Sequence, residues 1–165
     1  MNKVAKMTAE ITLQDAATFI WHEADILDRG DYDAWLDLWT GDGLYVIPIN
    51  PDSDDYPNDL NIAYDDAGMR KMRVGRLAGG FAISAAPAAK TVRLNARFVL
   101  LEQAEGHALV RSAMHLTEDK FGRQRTFAAN VEHRLVRTES GLKIRDKIVR
   151  LVNSDGVLTS ISYLF

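Results

Sequence analysis

Two hydrophobic periods divide the chain. In the first third, apolar residues recur every three to four positions, and from Thr91 onward they alternate. The first period places side chains on one stripe of a helix, and the second on one face of a strand. Leu13, Ala16, Ile20, Ala24 and Leu27 thus predict a helix from about Thr12 to Arg29. Thr12 is its N-cap, and Asp15 sits near the positive end of its dipole. Gly30 is placed to end it in the left-handed conformation. Asp31 caps a short helix, Tyr32 to Trp39, anchored by Trp35, Leu38 and Trp39. Gly41-Asp42-Gly43 reads as a turn and Leu44 to Ile47 as a strand that Pro48 ends or confines to an edge. Asn50 to Asn61, with four aspartates, reads as a surface loop. Tyr64-Asp65-Asp66 opens a third helix, Ala67 to Leu77, with Arg70, Lys71, Arg73 and Arg76 following its acids as the macrodipole favours. Ala78 to Lys90, broken by Pro87, reads as a loop.

The alternating half predicts four strands: Val92 to Gln103, His107 to Glu118, Arg123 to Arg137 and Leu142 to Val152. Short turns join them, at Ala104-Glu105-Gly106, Asp119 to Gly122 and Glu139-Ser140-Gly141, which implies antiparallel hairpins. Helices first and a long meander afterwards is an α+β pattern. Strands this long curl, so the expected architecture is a cone: a curved, mostly antiparallel sheet wrapped around N-terminal helices, with room for a pocket between. One domain, 1–165, is expected, with a flexible arm over 1–10. The last residues, 155–165, end in Ile161-Ser162-Tyr163-Leu164-Phe165 and are expected to dock as a further strand segment or at an interface, because exposed Leu-Phe is unfavourable.

Composition narrows the partners. A net charge of -3 and a pI near 5.8 argue against nucleic acid. No apolar run approaches the length of a membrane span, and the N-terminal lysines precede no apolar signal core, which points to the cytoplasm. The absence of cysteine removes disulfides, thiolate nucleophiles and iron–sulfur ligation from this chain.

The candidate chemistry is sparse. If the last hairpin closes symmetrically about Glu139-Ser140, Leu135 faces Ile144, His133 faces Asp146 and Val131 faces Ile148. His133 and Asp146 would then meet inside the cone, with Tyr45 as a further polar group. Such a pair suits acid–base work, and it equally suits a structural hydrogen bond in the core. The four histidines, His22, His107, His115 and His133, offer no convincing metal set. His107 and His115 lie about 26 Å apart along one strand, which leaves only a His115–His133 pairing on neighbouring strands. Asp52-Ser53-Asp54-Asp55 lacks the glycine and glutamate of a calcium loop. Arg70, Arg73 and Arg76 with Lys71 read as a solvated helix face or as a docking surface for carboxylates of a partner subunit. Trp21, Trp35 and Trp39 read as core and interface anchors.

A family resemblance runs from about Phe19 to Phe165. It is carried by Glu23-Ala24 with Leu27-Asp28, by Tyr32, Trp35-Leu36 and Leu38, and by Asp42, Tyr45 and Pro48. Tyr64-Asp65-Asp66, Arg73-Val74, Arg76-Leu77, Pro87, Asn95, His133-Arg134-Leu135, Ile144, Lys147 and the aromatic at the end continue it. In this ordered set the sequence resembles the small, or beta, subunit of aromatic-ring-hydroxylating dioxygenases, the Rieske non-haem iron oxygenases. The resemblance implies a cystatin-like, nuclear-transport-factor-2-like fold. It also implies a hetero-hexamer of three large (alpha) and three small subunits. The large subunit would hold the Rieske 2Fe-2S cluster, the mononuclear Fe(II) and the substrate pocket. The small one would have no catalytic, cofactor or metal residues and would support assembly. NADH electrons would arrive through reductase and ferredoxin components. Arg70, Arg73, Arg76, Tyr163 and Phe165 are the candidate interface residues. The alternative is a stand-alone isomerase or dehydratase of the same fold using His133, Asp146 and Tyr45. Leu77 to Ala89 looks smaller than that family's loop, which marks a possible difference at a subunit contact.

Overall fold

The computed structural model describes residues 2–78, 89–152 and 164–165. Its helices are α1 (Lys3–Thr8), α2 (Leu13–Asp28), α3 (Tyr32–Asp37) and α4 (Ala67–Ala78). Its strands are β1 (Trp39–Pro48), β2 (Asn61–Asp65), β3 (Lys90–Ala104), β4 (His107–Lys120), β5 (Arg123–Thr138) and β6 (Gly141–Leu151). They form one sheet in the order β2-β1-β6-β5-β4-β3. Only β1 and β6 run parallel, and the other described pairs are antiparallel. The α+β architecture read from the sequence, N-terminal helices against a mostly antiparallel sheet, is the fold observed. No helix among the described residues is long and apolar enough to cross a membrane.

The local signals for α2 act as read. Thr12 and Asp15 form a reciprocal capping box, and Gly30 ends the helix with φ +70°. Ala16, Ile20, Ala24 and Leu27 are buried, whereas Leu13, at the helix start, is exposed. Lys3–Thr8, read as part of the arm, form α1. The chain after α1 is held to the sheet by Arg137, which donates to the carbonyls of Ala9 and Glu10 and to Asp15.

Two stretches differ from their predicted form. Tyr64-Asp65 belong to β2, which pairs with β1, and Asp66 caps α4 by accepting the Met69 N–H at 2.9 Å. Gly41 to Gly43 lie within β1, at an interruption of its pairing with β6. Trp39 pairs with Ile144 and Leu44 with Asp146, so five β1 steps span two on β6. Gly43 is required there, because a Cβ on it would stand 1.9 Å from the Arg145 carbonyl oxygen. The Ala78 to Lys90 loop with Pro87 and most of the 155–165 tail lie outside the described residues.

Candidate functional site

The inner face of the sheet meets α2 at a cluster of buried charge. Glu23 projects from α2, and its carboxylate accepts three hydrogen bonds. Lys147 Nζ on β6 reaches Oε1 at 2.6 Å, Trp35 Nε1 on α3 reaches Oε1 at 3.0 Å, and His133 Nε2 on β5 reaches Oε2 at 2.7 Å. Glu23, His133 and Lys147 are each at most 2% exposed. Lys147 also donates to the Phe165 carbonyl at 2.6 Å, and the Phe165 N–H donates to the Tyr45 hydroxyl at 3.0 Å. Arg93 on β3 donates to the Leu164 carbonyl and to Asp28.

The charges in the cluster follow from competing terms. Burial alone would push the Glu23 carboxyl up, but the Lys147 ammonium and His133 outweigh it and hold it well below the usual carboxylate range. Burial lowers Lys147 despite Glu23. It also lowers His133, although a carboxylate at 2.7 Å would ordinarily favour the imidazolium. Lys147 already balances that carboxylate and repels a second cation, and among the described residues the buried His133 Nδ1 has no hydrogen-bond partner. The cluster therefore brings the Glu23 carboxylate and the Lys147 ammonium together with an imidazole that resists protonation. Burial raises the Tyr45 phenol, which keeps it a neutral acceptor for Phe165.

A pH dependence follows. The folded His133 resists protonation, while an unfolded histidine titrates near its ordinary value of about 6.5. Below that point the unfolded chain binds a proton that the folded chain does not, so stability falls as pH falls. As pH falls below about 7 stability is expected to decline, with this residue contributing at most roughly 1.4 kcal/mol per pH unit. Urea midpoints across that range measure it, and His133→Gln, which keeps a donor for Glu23 but cannot take the proton, should flatten the slope.

The structure separates His133 from Asp146. Leu135 pairs with Ile144 as expected, but Arg134 then pairs with Asp146 and His133 with Lys147. Arg145 is an extra residue, a bulge that reverses the facing of every later β6 position. Lys147 and Val149 point inward. Asp146 lies on the outer side, accepting the Leu44 N–H at 3.1 Å, with Arg134 at 3.9 Å. Val131 faces Val149, not Ile148.

The arginine face is also divided. Arg70 is 2% exposed, with its guanidinium 4.1 Å from the Trp39 ring centroid and its N–H groups on the carbonyls of Thr40, Gly43 and Asp65. It is part of the core and unavailable to a partner subunit. Arg73 is committed to a two-point pair with Asp65. Arg76 alone of the three remains exposed. Phe165, proposed from the sequence at an interface, is 0% exposed within its own chain, against Phe127 at 5.6 Å between ring centroids. Tyr163 lies outside the described residues. Trp35, Trp39 and Tyr45 pack edge to face in the cone, and Trp21 is half exposed, donating to the Asn95 carbonyl.

Chemically, a carboxylate, an imidazole and an ammonium in contact resemble an acid–base centre. Here Trp35, Tyr45, Leu164 and Phe165 enclose them at 0–1% exposure. His22, His107 and His115 are exposed and apart from His133. Among the described residues, no three His, Asp or Glu side chains gather to hold a metal ion. Sequence reasoning missed Glu23 and Lys147 as partners. Glu23 had a signal: it stands three after Ile20 and four before Leu27, inside the apolar stripe.

The comparisons with known proteins agree with this fold. A family model described as "Ring hydroxylating beta subunit" matches residues 22–156. The small subunit of anthranilate 1,2-dioxygenase from Acinetobacter baylyi is 30% identical over 149 residues, 85% of this chain and 90% of that one. The small oxygenase component of the p-cumate 2,3-dioxygenase system of Pseudomonas putida is 28% identical over 141 residues, 84% of this chain and 78% of that one. Among solved structures, the beta subunit of benzoate 1,2-dioxygenase from Burkholderia mallei superposes with a TM-score of 0.76 at 22% identity, covering 93% of this chain and 98% of that one.

Proposed function

The chain belongs to the ring hydroxylating beta subunit family, and on that premise we propose that it is the non-catalytic small subunit of an aromatic-ring-hydroxylating dioxygenase. The observation that carries the non-catalytic half is the filled cone. Its Glu23–His133–Lys147 group is enclosed by Trp35, Tyr45 and Phe165. The role is mechanical: a rigid sheet and helix unit that supports assembly of large catalytic subunits alongside other small subunits in the cytoplasm, with the whole chain as one domain.

The Rieske cluster and the mononuclear iron are assigned to the large subunit. The donors present here do not fit either group. The chain has no cysteine, and its one buried histidine is committed to Glu23. Electrons from NADH would reach the large subunit through reductase and ferredoxin components. The relatives named above act in systems for anthranilate, p-cumate and benzoate, so the substrate class proposed for the assembled enzyme is an aromatic acid. A stand-alone isomerase or dehydratase has no support in the geometry, because His133 and Asp146 lie on opposite sides of the sheet.

Co-expression with a large subunit bearing Rieske ligands tests the proposal. The expected result is a stoichiometric complex that dihydroxylates an aromatic acid only when both chains and the electron donors are present. A small chain that purifies as a catalytically complete homo-oligomer would overturn it.

A further inference from the structure

The outer face of the sheet carries an arginine-lined concavity. β3 breaks register with β4 after Ala96: Ala96 pairs with Ala113 and Val99 with Arg111, so Arg97 and Phe98 form a bulge. Arg97 has φ +54°, a conformation that costs a non-glycine residue energy, and bulges re-aim the side chains they carry. Its guanidinium reaches past β4 to donate to Asn130 Oδ1 on β5 at 2.6 Å. Arg97, Arg111, Asn130, Glu132 and Arg150 line an open concavity of about 530 Å³.

The charge in this space is unbalanced. Its lining carries three arginines against one carboxylate. Arg150 is committed to Glu132 and Asp54, each at 2.8 Å, and to the carbonyls of Pro51 and Ser53. Glu132 stands directly opposite Arg111 in the β4–β5 register, yet its carboxylate turns to Arg150. Arg111 therefore makes no ion pair among the described residues, and Arg97 has no acidic partner there either.

The neutral member of the lining is set as a donor too. Arg97 occupies Asn130 Oδ1, so the end left over is the Nδ2 amide, which has no hydrogen-bond partner among the described residues. Two guanidinium forks and one amide thus surround a single space with unused N–H groups. Guanidinium matches carboxylate and phosphate oxygens at two points, which fixes orientation as well as affinity. The volume falls within the roughly 300–1,000 Å³ of small-molecule pockets, so it has room for a ligand's body beside its charged group.

We propose that this concavity binds a small organic dianion, its carboxylate or phosphate oxygens taken by Arg111, Arg97 and Asn130 Nδ2 while Arg150 holds Glu132 aside. Two arginines without acids set the charge of the ligand, and the amide between them adds a donor that carries no charge of its own. Binding would tie β3, β4 and β5 together through one molecule and so stabilise the folded chain by mass action. It would also weaken as salt rises, because the site is open to solvent.

Titration of the full chain with phthalate and with phenyl phosphate, at constant ionic strength and followed by amide chemical shifts, tests it. At least one of the two should saturate, move the amides of Arg97, Arg111 and Asn130, and raise the thermal midpoint. The tighter of the two identifies the anionic group. Arg111→Gln should weaken that binding about tenfold, as should Arg97→Gly, which removes the guanidinium and suits the positive φ. Arg111→Lys keeps the charge, loses the fork and should fall between. Arg29→Gln, outside the concavity and paired with Asp25, should leave binding unchanged. No saturation by either probe, the same shifts from chloride alone, or full binding by Arg111→Gln and Arg97→Gly would overturn the proposal. An equal loss in Arg29→Gln would overturn it too, by reducing the effect to the general field of the surface. The family reading fails separately, in the co-expression experiment, and binding does not depend on it.

Discussion

Replacing Glu23 by alanine is expected to remove about 3 to 5 kcal/mol of stability, because it strands buried charge. The carboxylate is the only acceptor that Lys147, His133 and the Trp35 indole share, and each is almost fully buried. Without it, the Lys147 ammonium is left with the Phe165 main-chain oxygen, and two ring N–H groups lose their partner. Glu23→Gln keeps the volume and one acceptor oxygen and should fall between. Glu23→Leu combined with Lys147→Met removes both charges together and should cost less than the sum of the single changes. Urea unfolding at neutral pH measures all three. A loss below about 1 kcal/mol for Glu23→Ala would mean that the cluster is wetter than its geometry shows.

Phe165→Ala is expected to cost about 3 to 5 kcal/mol, the range for deleting a buried phenylalanine ring. Its ring is fully buried against Phe127, and Leu164 beside it is equally enclosed. Alanine keeps the main-chain bonds to Lys147 and Tyr45, so the loss reports the ring alone. Tyr45→Phe makes the converse test, removing the acceptor of the Phe165 N–H and leaving the ring. A thermal midpoint unchanged by Phe165→Ala would show that Leu164 and Phe165 do not complete the core.

The elements of this fold were legible where the cause is local. Thr12 and Asp15 cap each other three residues apart, Gly30 supplies a left-handed φ, and alternation from Thr91 marked the four long strands within a few residues of their observed ends. What was not legible depends on contacts across the chain. The bulge at Arg145 stands opposite the Gly43 backbone, about a hundred residues away, and it alone exchanged Asp146 for Lys147 as the inward neighbour of His133. Arg70 sits among Lys71, Arg73 and Arg76 with nothing in its spacing to set it apart, and its burial is decided by the Trp39 ring and by three carbonyls of β1 and β2. β2 is short, and its two last residues carry the polar character of a helix start. Glu23 was readable in principle, since a carboxylate inside an apolar stripe must find partners or unfold the helix from its sheet.

We propose that the Glu23–His133–Lys147 cluster holds the subunit together and takes no part in oxygenation. Turnover of the assembled oxygenase carrying His133→Gln in its small subunit tests this most directly. Per assembled complex, activity on an aromatic acid should stay within about twofold of the wild type, while the pH dependence of stability flattens. A complex that assembles at full stoichiometry yet loses about a hundredfold or more in turnover, the scale of a lost general acid or base, would contradict it.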